Sequence, residues 1–189
     1  PAATAQDMLP FCAIPRLAAF GPKTVRAAPR GGRGTPRMAE TPSGMLNSIG
    51  LQGPGIAAFA DEDLRWLASV GARVLVSIAG GTPAEFAQVA TRLLASPAVT
   101  AIAGLEVNIS CPNVASRGQV FAIDPHASAQ VIAAVREAVP IHLPVFAKLS
   151  PDVTDLVTVA AACLGAGADG LTLINTTLGM VIDLSLIHI

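Results

Sequence analysis

Between Gly104 and Ser110 apolar and polar residues alternate, with Leu105, Val107 and Ile109 on one side and Glu106, Asn108 and Ser110 on the other. A period of two residues is the signature of a strand. Cys111-Pro112-Asn113 ends it, because proline donates no ladder hydrogen bond and fixes its own φ. Similar apolar runs predict strands at Val74 to Ile78, Val145 to Leu149 and Leu171 to Ile174. Between them lie helix-period segments with recognisable starts. Thr82-Pro83-Ala84-Glu85 is a capping box with proline at the first helical position, opening a helix to about Ala95. Asp124-Pro125 opens another through about Ala138, and a third runs from about Thr154 to Leu164 before Gly165 and Gly167. Upstream, Leu64, Leu67 and Ala68 share a face of a helix that includes Asp61 to Val70 and ends at Gly71, with Trp66 partly buried.

The first third is less regular. A short strand is expected around Lys23. Arg26 to Gly44 is expected to be a long surface loop, punctuated by Gly31, Gly32, Gly34, Pro36 and Pro42. Loops of that length inside compact domains tend to be functional. Asn47 follows between Gly44 and Gly50, where glycine lets the backbone approach a ligand closely.

Strands and amphipathic helices at this spacing call for a parallel sheet with right-handed crossovers. The polar residues Lys23, Ser77, Asn108, Lys148 and Asn175 each fall at or just inside the C-terminal end of a strand. On successive strands these positions converge on one rim, which is the catalytic face of a barrel or the switch-point crevice of an open sheet.

Composition narrows the class. With 52% hydrophobic and 13% charged residues over 189 positions, the chain is globular with a real core. A net charge of −1 gives no footprint for nucleic acid, and Arg26, Arg30, Arg33 and Arg37 are taken as a solvated loop. Mean hydropathy is high at +0.58, yet no run of about 18 apolar residues spans a membrane; alanine supplies much of the excess. Three cysteines, an odd number without close pairing, fit neither a zinc site nor a disulfide framework and suit a reducing, cytoplasmic compartment.

Each rim residue has a plain and a chemical reading. Lys148 ends V-F-A-K-L among apolar neighbours, and a buried lysine must find an anion or lose its proton; alternatively its stem packs while its head reaches solvent. Lys23 has the same setting, and two lysines aimed into one cavity would favour an anionic ligand. Asn47, Asn108, Asn113 and Asn175 each offer a donor beside an acceptor, matching the N–H and C=O edge of a cyclic imide or pyrimidine. Any one of them equally suits a turn that caps its own backbone. Cys111 is either a small buried hydrophobe or, in its polar loop, an exposed thiol able to serve as a general base. Cys163 lies mid-helix among alanines and belongs to the core.

Four segments, A-E-T-P-S-G-M-L-N-S-I-G-L-Q (39–52), N-I-S-C-P-N-V (108–114), A-K-L-S-P (147–151) and G-A-D-G-L-T-L-I-N-T (167–176), together resemble dihydroorotate dehydrogenases of class 1. The first has the form of the NAD-linked B subtype. The resemblance implies a TIM (β/α)8 barrel that oxidises dihydroorotate to orotate in pyrimidine biosynthesis with FMN as cofactor. It makes Cys111 the base at C5 while hydride leaves C6 for the flavin. Lys23, Thr24, Ser77, Asn108, Lys148 and Ile174 would contact FMN, Ser77 standing where the family more often has asparagine. Lys23, Asn47, Ser48, Ile49, Gly50, Leu51, Asn108, Asn113, Asn175 and Thr176 would hold the substrate. Further implications are a homodimer with a separate FAD and iron–sulfur subunit, a cytoplasmic location, and no metal, nucleic acid or membrane partner.

Pro1 to Pro15 and Leu184 to Ile189 do not fit the pattern. The expectation is a partial FMN-binding barrel domain over 1–183, truncated at both ends, with a foreign tail at 184–189. Two other readings stand beside the first: a dihydropyrimidine dehydrogenase-like barrel, against which Asn113 counts because that group tends to carry histidine there, and a barrel fragment that binds nothing tightly.

Overall fold

Val74, Val76, Ile78, Leu105, Val107, Ile109, Val145, Ala147 and Leu149 are all buried and all point to one side of a sheet. The computed structural model describes residues 5–110 and 121–182. Its main sheet is parallel, in the order β3 (Val74–Ile78), β4 (Ile102–Asn108), β5 (Val145–Lys148), β6 (Gly170–Thr172). It is preceded by a small antiparallel pair, β1 (Met38–Thr41) and β2 (Gly44–Asn47).

Helices α3 (Pro83–Leu94), α4 (Pro125–Ala138) and α5 (Leu156–Gly165) follow β3, β4 and β5, and α3 packs on α4 and α4 on α5. Strands in sequential order with successive helices packed side by side define the singly wound path of a barrel. Phe86, Val89 and Leu93 of α3, Val131, Ile132 and Val135 of α4, and Val159 and Cys163 of α5 are buried. Burying such side chains contributes roughly 1.5–3 kcal/mol each before entropy is counted. Among the described residues the sheet is open, so this is part of a barrel rather than a closed one.

The helix starts follow local chemistry. Thr82 accepts the Glu85 N–H at 3.2 Å, and the Glu85 carboxylate takes the Gly81 N–H at 2.6 Å, one residue earlier than in the usual capping box. Asp124 caps α4 through the N–H groups of His126 and Ala127 at 2.9 and 3.3 Å. Asp155 caps α5 through the Thr158 N–H at 3.0 Å.

Two expectations need correction. The strand around Lys23 is reduced to two isolated parallel bridges to β3, Phe20 to Val74 and Val25 to Ile78, because Gly21 and Pro22 interrupt the ladder. The Arg26 to Gly44 segment is not one long loop: its last residues form β1, which turns through Pro42 and Ser43 into β2. Proline suits the second position of such a turn, so Pro42, counted among the residues punctuating the loop, sits in the turn of a hairpin. The helix expected to include Asp61 to Val70 is there: it opens at α1 (Gly55–Ala58) and passes through a π-helical turn (Phe59–Asp63) into α2 (Leu64–Ser69).

Candidate active site at the carboxyl ends of the strands

The second face of the parallel sheet carries the polar residues. Ser77 is the register partner of Glu106, Asn108 of Lys148, and Lys148 of Thr172, which puts these side chains on the face opposite the helix-packed core. Phe146 lies one pleat below them, over Gly104 and Gly170. A Cβ at Gly170 would lie 2.8 Å from the Phe146 ring, so glycine there makes room for the aromatic floor of the site.

Along the rim runs a continuous chain of hydrogen bonds. Asn175 Nδ2 donates to Ser110 Oγ at 2.8 Å, Ser110 Oγ donates to Asn108 Oδ1 at 2.8 Å, and Asn108 Nδ2 donates to Thr24 Oγ1 at 3.4 Å. Thr24 Oγ1 then lies 2.9 Å from Ser77 Oγ, and either hydroxyl can donate. Five side chains from four separate stretches of backbone are thus locked in one row. A buried polar row satisfied by its own members holds its geometry before any ligand arrives. Each amide also keeps one further N–H for a ligand.

Beside this row Lys148 Nζ donates to Glu106 Oε1 at 3.3 Å, with both side chains largely buried. The expected anion for Lys148 is therefore a residue of the same chain. Glu106, Lys148, Ser77, Leu75, Gly21 and Pro22 line a cavity of about 190 Å³. A second and larger cavity, about 360 Å³, sits at the opposite ends of β4 and β5 between Leu94, Ile102 and Pro144, away from the rim.

Of the five residues expected on the rim, Ser77, Asn108, Lys148 and Asn175 come together, joined by Thr24. Lys23 does not line the cavity that Lys148 lines, which departs from the picture of two lysines in one pocket. Asn47 ends β2 and is exposed, as is Ser48. Ile49, Gly50 and Leu51 lie in a loop laced to the arginine segment, where Arg33 N–H donates to Ile49 O at 3.0 Å and Arg30 Nε to Gly50 O at 2.7 Å. Gly50 and Leu51 both have positive φ, at 80° and 53°, a tight backbone reversal that these arginines brace. Ile174 and Thr176 are exposed. Cys111 and Asn113 lie outside the described residues.

Glu106 and Ser110 were missing from the expected site. The signal for both was present: they alternate with Leu105, Val107 and Ile109, and so share a face with Asn108.

The donor set suits a heterocycle with an anionic or electron-rich edge: amides and hydroxyls in one hydrogen-bonded row, an ammonium beside them and the Phe146 ring one pleat below. No group of three His, Cys, Asp or Glu side chains among the described residues is arranged to hold a metal ion. No helix among them is long and apolar enough to cross a membrane.

A singly wound parallel α/β segment with its polar groups at the carboxyl ends of the strands defines a piece of a (β/α)8-barrel enzyme. A family model described as dihydroorotate dehydrogenase matches residues 3–188, and the chain belongs to that family, whose fold is a TIM barrel. Among its relatives is a protein of Pelobacter propionicus named dihydroorotate dehydrogenase B (NAD(+)), catalytic subunit, 49% identical over 95% of this chain and 57% of its own length. Proteins of the same name from Trichlorobacter lovleyi and Desulforudis audaxviator are 49% and 48% identical, over 95% and 94% of this chain. The chain spans somewhat over half the length of these curated relatives.

Proposed function

We propose that this chain carries the catalytic rim of an FMN-dependent dihydroorotate dehydrogenase of the NAD-linked type, oxidising dihydroorotate to orotate in pyrimidine biosynthesis. The observation that supports this most is the prearranged row Asn175, Ser110, Asn108, Thr24, Ser77 with the Lys148 ammonium beside it, in a chain of this family. Bound FMN supplies a hydride acceptor. Lys23, Thr24, Ser77, Asn108, Lys148 and Ile174 would hold it, Lys148 placing positive charge beside the ring. Asn108, Asn113, Asn175 and Thr176, with Lys23 and the Asn47 to Leu51 backbone, would hold the pyrimidine edge and carboxylate.

Cys111, as thiolate, would take the proton from C5 of the substrate while the hydride at C6 passes to the bound acceptor; one C–H bond breaks at each carbon, and the electron pair left at C5 forms the C5=C6 double bond. A thiol serves here because its pKa lies close enough to neutrality for a useful thiolate fraction. A cytoplasmic homodimer working with a separate FAD and iron–sulfur subunit, which carries the electrons onward to NAD, completes the reading. The names of the relatives, each a catalytic subunit, support a division of labour of this kind.

The test is anaerobic addition of dihydroorotate to the FMN-loaded chain and to its Cys111→Ala variant. The parent flavin is expected to bleach and the variant's to bleach at least a hundredfold more slowly. A parent that binds FMN yet is not reduced overturns the substrate assignment, and equal rates remove Cys111 from the mechanism.

A further inference from the structure

Glu106 has no part in the roles assigned above, yet it is the carboxylate nearest the candidate site and is only 8% exposed. It stands on β4 on the same face as Asn108, its Cα opposite that of Ser77, and its Oε1 takes a hydrogen bond from Lys148 Nζ at 3.3 Å. Stability does not account for its presence. A buried ion pair is commonly no better than well-packed apolar residues of similar volume, because two charges must leave water. Position accounts for it better. The Lys148 side chain has four rotatable methylenes, and nothing else among the described residues fixes where its ammonium sits. Of its three N–H donors, one is taken by Glu106, and among the described residues the other two have no partner.

We infer that Glu106 is a positioning residue: it tethers the Lys148 ammonium at the wall of the cavity and offsets part of its charge, setting how strongly that cation attracts an electron-rich ring. The second half of this inference rests on the flavin reading of the site; the tether does not. A lysine without the carboxylate would present a full uncompensated charge from a wandering head group. With it, the pair presents a fixed dipole whose positive end faces the rim.

Lys23 and Lys148 are the only two lysines of the chain, which makes the tether directly measurable. The full chain and Glu106→Gln are treated with an N-hydroxysuccinimide ester, and modification of each lysine is followed by peptide mass spectrometry. Release from the carboxylate is expected to speed labelling of Lys148 at least threefold relative to Lys23. An unchanged ratio overturns the tether. Should the glutamine variant fail to fold, Glu106→Asp serves: it keeps the charge but withdraws it by one methylene, and a Lys148 to Lys23 ratio equal to the parent's overturns the tether equally.

In the FMN-loaded protein, Glu106→Gln is expected to favour the reduced flavin at least tenfold, a positive shift of about 30 mV for a two-electron couple. An unchanged potential overturns the charge-setting role. Failure of the parent to bind FMN refutes that role together with the flavin reading, while the labelling ratio still decides the tether.

Discussion

Asn175 donates its side-chain N–H to the Ser110 hydroxyl over 2.8 Å, joining residues 65 positions apart. Ser110 passes the order on to Asn108. The loop after β6 is thereby registered against the end of β4, and the rim becomes one unit rather than a set of separate loop tips.

Asn175→Ala removes one bond of the row and is expected to cost about 1 kcal/mol, whereas Ser110→Ala breaks two and leaves the buried Asn108 oxygen unpaired, costing about 2 kcal/mol. Urea denaturation of the two variants checks the ranking. Equal losses would mean that Ser110 does not link the two asparagines.

The ion pair behind the rim makes a different prediction. Lys148→Met leaves the Glu106 carboxylate buried without its partner, and is expected to destabilise by about 3 kcal/mol. Combining it with Glu106→Leu removes both charges and should restore most of that loss. The double variant being as unstable as the single one would show that the strand ends require the pair for packing.

The Asn47 to Leu51 stretch depends on the segment read from sequence as a solvated arginine loop. Arg30 exchanges backbone hydrogen bonds with Gly53 at 2.9 Å in both directions and adds its Nε bond to Gly50 O at 2.7 Å. Arg30→Ala is expected to leave the backbone bridge but free the reversal at Gly50 and Leu51. Hydrogen exchange across 48–52 should accelerate several-fold, while exchange in β4 and β5 stays as it was. Faster exchange throughout the sheet would show that the arginine supports the whole fold.

Elements whose start is written in adjacent residues were legible. The helix at Asp124-Pro125 runs over the expected Pro125–Ala138, because the cap and the proline act within one turn. Strand β3 matches its apolar run, Val74 to Ile78, because the run itself is the buried strand. The β1–β2 hairpin was hidden because its strands are only four residues each and largely exposed, so no apolar alternation marks them, and its turn residues, Pro42 and Ser43, equally describe a loop. In the site, side-chain chemistry was legible wherever a polar residue interrupts an apolar run, as at Asn108 and Lys148. Which partner each one finds was not: Lys148 meets Glu106 from 42 positions away, and only the β4–β5 register brings the two together.

Cys163 supplies a pH-dependent test of the core between α4 and α5. Burial pushes its thiol up to about 11 from an ordinary 9.0, against a smaller opposing effect from its hydrogen bond with Ser128. The folded chain therefore keeps this proton over a range in which the unfolded chain has released it. The contribution to stability is whole below pH 9, and is lost progressively as the pH climbs from about 9 to about 11. Replacing the thiol by a methyl group, Cys163→Ala, removes that dependence. The stability of the parent relative to the variant, measured by urea denaturation at intervals from pH 8 to pH 11, should accordingly decline across the upper part of the range. A constant difference would mean that the thiol ionises as readily in the folded chain as in the unfolded one, and would remove burial as a cause of any raised pKa.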